Sequence, residues 1–487
     1  MTGDISPLIK KSLTDKCQVG LFFCKATRFL FLVPIILFLY IMCRLTPFKP
    51  HSIISAIVTF YKKFEKMRLI MKKTPVKGTN DYLPREAALR DYLKKTILDI
   101  YTKNGFEHIY TPAVEDVENL DKSEGGENLS LIFNILKRGD KLDKLIEEGV
   151  TAENVKELYD LGLRYDLTLP LSRYFANNRN DLILPMKCIQ IDRVYRAERP
   201  QKGRLREFIQ CDIDIIGNES SDAEVELILT TAEALDAIGI KNFKVRINDR
   251  RLLHAVLQDA GFKPEDMESV CITFDKMDKV GLDGVCSELE QKGFDANVIA
   301  SFKDMLSGTD LSLDYIKSRL VDKSPAESLE RVISDVDALS DGKVRTEFDL
   351  SLVRGQGYYT GTVFEVVSDD FSGSVAGGGR YDKLIGKFLN EDIPAVGFSI
   401  GFERIFAILT DGGIETADGN RKKKIAVLYG EEDFVKAARR AEDLRAEGFI
   451  ASLFARPKKT GKFIDNLEKH GFDGFVILGE KDEVQLF

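Results

Sequence analysis

Cysteine and histidine are scarce in this chain of 487 residues, at seven and four. No two cysteines stand Cys-x-x-Cys, so neither a disulfide framework nor a zinc ribbon is supported, and four histidines are too few for a His-rich metal site. Such thiol usage fits a reducing compartment, and we expect a cytoplasmic protein. Crossing a bilayer takes about 20 apolar residues, whereas the run Phe29 to Cys43 stops at 15 and contains Pro34. Gly-x-x-x-x-Gly-Lys-Ser/Thr and His-Glu-x-x-His are both missing. Gly355-Gln356-Gly357 begins like a dinucleotide fingerprint. Its third glycine, Gly361, comes one place late and ahead of a strand, which excludes a Rossmann site.

What is present divides unevenly. Residues 1–70 hold 11 Lys and Arg against 3 Asp and Glu, while the remainder holds 59 against 75. An acidic body argues against a general nucleic-acid coat and against DNA, yet permits one local basic site. We expect 1–70 to be either upstream sequence preceding a start at Met67 or Met71, or a membrane anchor. A 44% hydrophobic fraction supports a sizeable core, and the length predicts roughly three domains at about 150 residues each.

Hydrophobic periodicity orders the body. Leu89, Tyr92, Leu93, Ile97, Ile100 and Tyr101 predict a helix over Arg85–Lys103 that Gly105 stops. Phe106–Val114 reads as a strand bent by Pro112, 137–161 as a charged surface insertion, and Leu163–Thr168 as a short strand before a helix. Strands follow at Lys187–Glu198 and Leu205–Gly217, and a helix at Asp222–Ile238. Residues 250–341 are mostly helical and interrupt the strand-rich body, which resumes over 342–410 with strands near Val363–Val367 and Ala395. After a linker at 411–423, residues 424–487 alternate strand and helix as a parallel βαβαβ unit.

The chemistry concentrates on one strand and its neighbour. Ile209, Cys211, Ile213 and Ile215 face one way, and Phe208, Gln210, Asp212 and Asp214 the other. An amide and two carboxylates on a buried face are costly unless they line a polar pocket. Beside them Arg193, Arg196, Arg199, Lys202, Arg204 and Arg206 place six cations in fourteen residues of an acidic body. Guanidinium forks suit bidentate contacts to phosphate oxygens, so a triphosphate next to a small polar ligand fits better than a solvated loop. Gly377-Gly378-Gly379 points to a backbone approached closely by a ligand.

These residues carry a resemblance. Tyr195-Arg196-Ala197-Glu198 with Arg204 and Phe208 resembles motif 2 of class II aminoacyl-tRNA synthetases, Gly397, Gly401 and Arg404 resemble motif 3, and Gly105–Glu115 resembles the dimerising motif 1. Leu352-Val353-Arg354-Gly355 with Tyr358-Tyr359-Thr360-Gly361, and Ala376–Asp382, resemble the two signatures of the histidyl-tRNA synthetase family. Lys77–Asp81 and Arg164-Tyr165-Asp166-Leu167-Thr168 fit the same family. The resemblance runs from Lys77 to the C-terminus. It implies an α+β catalytic domain (71–249 and 342–410) with a six-stranded antiparallel sheet flanked by helices, and a helical insertion at 250–341. It also implies a C-terminal α/β anticodon-binding domain at 424–487, here stopping before the family's last strand and helix.

The same resemblance implies the reaction and its residues. Histidine and ATP give histidyl-adenylate, and the histidyl group passes to tRNA(His), in a homodimer, with Mg²⁺ carried by the ATP phosphates. Arg196 would hold the α-phosphate, Arg404 the γ-phosphate and Arg204 the outer phosphates, with Glu198 and Phe208 against adenine. Asp166, Thr168 and Gln210 would bind the α-amino end of histidine, and Asp214, Tyr358 and Tyr359 the imidazole, with Leu167 and Tyr381 completing the histidine set. Arg354 would lie between carboxylate and α-phosphate, where other class II enzymes use a further metal ion; protein metal ligands are not indicated. One departure stands out: Gln356-Gly357 replaces the family's Leu-Asp, removing a carboxylate that would help orient Arg354 or the tyrosines. Two alternatives share these residues: a non-catalytic regulatory subunit of ATP phosphoribosyltransferase, and a membrane-anchored synthetase-like sensor.

Overall fold

Alternation on one strand decides where the main core lies. Ile209, Cys211, Ile213 and Ile215 are buried in a single apolar cluster, while Phe208, Gln210, Asp212 and Asp214 turn to the opposite face and line a cavity. The computed structural model describes residues 72–121, 130–152, 154–201, 204–307, 311–354, 357–369, 373–411 and 422–487. Residues 1–70, Lys202, Gly355-Gln356 and most of the 411–423 linker lie outside the described residues. Contacts divide the chain after Pro75, and Val76–Phe487 forms one unit.

Helix α1 (Pro84–Lys103) opens that unit with proline at its first position and Glu86 accepting the Leu83 N–H at 2.7 Å. Its buried Leu89, Leu93, Ile97 and Tyr101 recur at helical spacing and join the main core. The expected Phe106–Val114 strand divides around Pro112. Strand β1 (Glu107–His108) pairs with the main sheet, while β2 (Val114–Asp116) enters a separate three-stranded sheet. After α2 (Val117–Asp121) that sheet is completed by β3 (Phe133–Leu136) and, past the charged α3 (Asp140–Glu148), by β4 (Tyr159–Leu163). α3 buries no residue, consistent with its charge. The strand expected over Leu163–Thr168 thus ends where it was to begin. The chain turns instead into α4 (Thr168–Asn178), because Asp166 accepts the Leu169 N–H at 3.3 Å and starts a helix.

Next come the long antiparallel pair β5 (Met186–Tyr195) and β6 (Glu207–Ile216), helix α5 (Asp222–Ala237) and β7 (Phe243–Asp249). Helices α6 (Arg250–Ala260), α7 (Met267–Phe274), α8 (Met277–Gln291), α9 (Ala296–Ser307) and α10 (Leu313–Arg319) gather around a second core. There Phe302 meets Phe262 and Phe274 edge-on. Helix α11 (Ser324–Ser340) leaves that layer: its Ala326, Leu329, Val332 and Val336 pack into the main core.

The main sheet then closes with β8 (Thr346–Phe348), β9 (Thr362–Ser368), β10 (Ser374–Arg380), and, after α12 (Asp382–Leu389), β11 (Ala395–Gly401), which leads into α13 (Phe402–Asp411). Its order is β1-β5-β6-β11-β10-β9-β7-β8. The six middle strands are antiparallel, as expected. β1 and β8 add a parallel strand at each edge, which makes the sheet eight-stranded and mixed. β8, three residues long, is too short to alternate visibly and was not expected, whereas β1 falls within the expected Phe106–Val114 strand. The C-terminal sheet holds β12 (Lys424–Tyr429), β13 (Ile450–Ala455) and β14 (Gly474–Ile477) in parallel, connected by α14 (Phe434–Ala446) and α15 (Thr460–Lys469). Beyond the three strands expected, a fourth, β15 (Lys481–Leu486), pairs antiparallel with β14.

One buried ion pair joins α1, β6 and α13. Arg90 donates to both oxygens of Glu403 at 2.7 Å and stacks 3.9 Å over the Tyr82 ring, and Glu403 also accepts the Ile209 N–H at 3.3 Å. Removing one partner of such a pair leaves an uncompensated charge in the interior. Arg90→Ala should therefore cost about 3 kcal/mol, read as a lowered urea midpoint at unchanged m-value. An unchanged midpoint would show that Glu403 finds water instead.

Candidate active site

The cavity, about 550 Å³, sits on the polar face of β6, β10 and β11. Cross-strand register sets its floor: Asp214 lies opposite Gly397, Asp212 opposite Ser399, and Gln210 opposite Gly401. A Cβ on Gly397 would stand 1.9 Å from Asp214 Oδ1, so only glycine lets that carboxylate lie across its neighbour strand. Gly377 does the same for Arg354, whose Nη1 would be 2.1 Å from an added Cβ. The glycine run does face the cavity, but the group that Gly377 admits is the protein's own guanidinium rather than a ligand. Gly378 is required by the sheet itself, since its Cβ would meet the Gly397 carbonyl at 1.9 Å.

One end of the cavity is acidic. Asp214 Oδ1 accepts from the Tyr381 hydroxyl at 2.6 Å, while Asp214 Oδ2 is buried without a partner. Gln210 donates to Ser399 Oγ at 3.1 Å, and its own Oε1 is likewise buried and unpaired. Asp166 receives the Tyr358 hydroxyl at 3.4 Å. Burial pushes the Asp166 carboxyl up to about 6, against the pull of the Leu169 N–H and Arg196. Burial pushes Asp214 up to about 7, with Asp166 adding to it. Asp212 between them rises well above the usual carboxylate range, by burial and then by repulsion from Asp214. Two buried acceptor atoms, Asp214 Oδ2 and Gln210 Oε1, thus lack a donor, and burial disfavours the ionised form of all three carboxyls.

The other end is cationic. Arg196 donates to the Tyr165 carbonyl at 3.0 Å and lies 5.1 Å from the Phe208 ring. Arg204 stands 3.6 Å from Glu198. Arg404 binds Ser374 through its carbonyl and its Oγ. Burial, and then Arg354 and Arg204, lower the pKa of Arg404, the expected mark of guanidinium groups crowded together. Arg354 holds a positive φ of 64°, which a non-glycine residue adopts only under constraint. Two carboxylates supply that constraint. Glu365 Oε1 accepts from Arg354 Nη1 at 3.0 Å, and Asp275, just past α7, lies near Arg354, whose charge and main-chain amide pull its carboxyl down against the larger effect of burial. The orienting carboxylate missing at 356–357 is therefore replaced from β9 and from the helical layer.

Of the residues singled out in the sequence, Asp166, Thr168, Arg196, Glu198, Arg204, Phe208, Gln210, Asp214, Arg354, Tyr358, Tyr359, Tyr381 and Arg404 all line this cavity. Leu167 does not: its side chain is fully buried elsewhere, and its carbonyl accepts from Gln190 at 3.0 Å. The six-cation cluster also divides. Arg196 and Arg204 line the cavity, whereas Arg206 fastens the Glu198 and Lys77 carbonyls, Arg193 pairs with Glu207, Arg199 is not among the lining residues, and Lys202 lies outside the described residues. Asp212, Glu365, Asp275 and Ser399 were not singled out as site residues, although Asp212 stands on the alternating polar face that located the site. Asp275 gave no local signal, because only the fold brings it to Arg354. Among the described residues no group of three His, Cys, Asp or Glu could hold a metal ion.

Comparison with known proteins gives one answer. The family model for histidyl-tRNA synthetase matches residues 151–405. The histidine–tRNA ligase of Leifsonia xyli is 41% identical over 83% of this chain and 95% of its own. That of Cytophaga hutchinsonii is 35% identical over 83% and 92%. The crystal structure of histidyl-tRNA synthetase from Nostoc sp. PCC 7120 superposes with a TM-score of 0.66 at 28% identity, covering 84% of this chain and 92% of that one. A Bacillus halodurans structure described as an ATP phosphoribosyltransferase regulatory subunit/histidyl-tRNA synthetase has the same TM-score at 20% identity, and so shares the fold.

The raised carboxyls carry a consequence for stability. The unfolded chain loses these protons from about pH 4, whereas the folded chain keeps them to about 6 at Asp166 and about 7 at Asp214. They cost nothing below about pH 4, and progressively more as pH rises through the folded values. Asp214→Asn cannot ionise, so its stability relative to the parent should improve by roughly 2 kcal/mol between pH 5 and pH 8. Urea midpoints at the two pH values read the difference, and a pH-independent offset would contradict it.

Proposed function

Since the chain belongs to the histidyl-tRNA synthetase family, we propose that its cavity joins histidine to ATP across the boundary between its acidic and basic ends. The chain is a class II aminoacyl-tRNA synthetase that ligates histidine to tRNA(His) with ATP, through histidyl-adenylate. The observation that carries the residue assignment is the pair of buried, unpaired acceptors, Asp214 Oδ2 and Gln210 Oε1, on residues that line one cavity with a group of arginines. Histidine has ring N–H and ammonium donors at one side and a carboxylate at the other, which is the complement.

In this reading Asp214 Oδ2 takes a ring N–H, with Tyr358, Tyr359 and Tyr381 around the imidazole, and Asp166, Thr168 and Gln210 hold the α-ammonium. Phe208 and Glu198 receive adenine, Arg196 the α-phosphate, Arg204 the outer phosphates and Arg404 the γ-phosphate. A histidine carboxylate oxygen attacks the α-phosphorus, the new O–P bond forms, and the bond to the β-phosphate oxygen breaks to release pyrophosphate. The carboxylate is ionised already at neutral pH, so no general base is required. What the step needs is relief of repulsion between two anions, and fixed guanidinium groups supply it. Arg354, constrained by Glu365 and Asp275, sits where carboxylate and α-phosphate meet. A ribose hydroxyl at the tRNA end then attacks the histidyl carbonyl and AMP departs.

Magnesium ions would arrive on the ATP phosphates, neutralising part of their charge, with Glu365 the carboxylate on the Arg354 side suited to meet one. A homodimer is supported by the 105–115 stretch, where Tyr110 and Val114 are exposed. A cytoplasmic location is supported by four described cysteines that are free and buried. Among the described residues, no helix is long and apolar enough to cross a membrane. The regulatory-subunit alternative is not favoured, because relatives 35–41% identical over most of the chain are ligases.

Two measurements test this reading. The purified chain without tRNA should catalyse ATP–pyrophosphate exchange with histidine and with no other amino acid; a folded, inactive chain would overturn it. Arg354→Ala should lower exchange by about 10²–10³ while histidine binding weakens only a few-fold, and unchanged exchange would remove Arg354 from the step.

A further inference from the structure

Helix α6 begins in an unfavourable way. Arg250 and Arg251 stand at the helix end that carries partial positive charge, and its first turn has no acidic residue. Arg251 is accounted for locally, since the N-cap Asp249 accepts its N–H at 2.8 Å and its guanidinium at 2.7 and 2.9 Å. Arg250 turns the other way and is buried. Its Nη1 donates to the carbonyls of Gly357 at 3.4 Å and Tyr359 at 3.3 Å, and its main-chain N–H donates to the Gly361 carbonyl at 3.1 Å. One residue thus addresses three carbonyls that bracket Tyr358 and Tyr359.

Arg250 completes a row at strand spacing. On β7, Arg246 binds Asp349 and Ser351, and Asn248 donates to the carbonyls of Leu350 and Leu352 at 3.0 Å each. The three side chains therefore fasten the chain on both sides of Arg354. Arg250 also reaches a second layer: its Nη2 donates at 3.0 Å to Glu268, in the first turn of α7. The residue just after α7 is Asp275, which lies near enough to Arg354 for the guanidinium charge and main-chain amide to act on its carboxyl. The two ends of one helix thus touch the two parts of the chain that carry the site. The Arg250–Glu268 pair is a weak stabiliser, because Glu268 is 56% exposed. Its geometry instead makes it a tie between layers.

We propose that Arg250 is a positioning residue that, through Glu268, couples the seating of helix α7 to the placement of Tyr358 and Tyr359 over the histidine pocket. This rests on the assignment of that pocket to histidine given above. Without the guanidinium, the Gly357 and Tyr359 carbonyls lose their donor in a half-buried setting and the chain there moves toward water. Tyr358 would then lose its 3.4 Å contact with Asp166. The phosphate side is held by other elements, Arg196 and Arg204 beside β6 and Arg404 on α13, and is left in place.

The test compares the full chain with Arg250→Ala, Glu268→Ala and Glu268→Gln in ATP–pyrophosphate exchange. Arg250→Ala should raise the histidine KM about tenfold while the ATP KM stays within about twofold. Glu268→Ala should raise the histidine KM about threefold, and Glu268→Gln, which keeps an acceptor oxygen in place, should recover most of that. The double alanine variant should match Arg250→Ala alone. A lowered melting temperature with an unchanged histidine KM, or an equal rise in both KM values, overturns the proposal. Should Arg250→Ala not fold, the exposed Glu268 decides alone by the same criteria. Hydrogen exchange at residues 357–361 reads the tie without catalysis: Glu268→Ala should speed it, and unchanged protection counts against the tie. Lack of exchange activity in the parent chain would strike the histidine assignment, leaving the hydrogen-exchange result to judge Arg250.

Discussion

Everything in this structure answers to one electrostatic problem: charge of both signs is held in a single cavity without being allowed to cancel. Asp166, Asp212 and Asp214 crowd one end, and Arg196, Arg204, Arg354 and Arg404 line the other. Had evolution wanted only stability, pairing them would have served better, because unpaired buried charge is expensive. The separation is partial, since Arg196 still pulls on Asp166 and Asp212. Burial, a tyrosine and a carboxylate govern Asp214, while burial and two other guanidinium groups lead at Arg404. Such a cavity is most stable with a ligand in it, and the ligand must be a donor at one end and an anion at the other.

Holding that arrangement requires a rigid floor. β6 supplies it by placing its even-numbered polar residues over a continuous apolar core built from its odd-numbered ones. Glycines at 377 and 397 forfeit roughly 0.5–1 kcal/mol each in strand conformation, and in return they let Arg354 and Asp214 lie flat on the sheet. The Arg90–Glu403 pair fixes α13 against β6, and with it Arg404 one residue on. Arg354 is the strained member: its backbone is left-handed, Glu365 holds its side chain, and Asp275 lies close by.

How much of this could be read beforehand follows from where each signal resides. The β6 alternation is a local period of two, so the core face and the cavity face were both legible, and the cations beside them pointed to phosphate. Motif spacing then brought thirteen of the fourteen proposed site residues to one cavity. Leu167 failed because a residue inside a motif need not face the ligand; the same turn that aims Asp166 sends Leu167 into the interior. Gly377 was legible as a close approach, but what approaches it depends on the three-dimensional course of the 350s, which no local pattern encodes. Arg250 and Asp275 were hidden for the same reason: each sits in a stretch that reads as ordinary charged helix, and only the fold presents them to the catalytic chain. The strands β8 and β15 were missed because short or charged edge strands are shaped by the neighbour they pair with.

The features that make the empty cavity costly are also those that would make it selective. In the proposed reading, a ligand without a ring N–H leaves Asp214 Oδ2 as it is in the free chain, buried and unpaired, and so recovers none of that cost. A pocket built around such a polar contact can reject an analogue lacking it by about 10⁴-fold, where an apolar pocket separates neighbours by far less. The raised carboxyls work in the same direction. Burial favours their protonated form, and in the proposed reading an incoming ammonium or ring N–H favours the ionised one, so ligand entry and deprotonation are linked. Discrimination at this site is therefore the same free energy as its ligand-free instability, seen from the bound side.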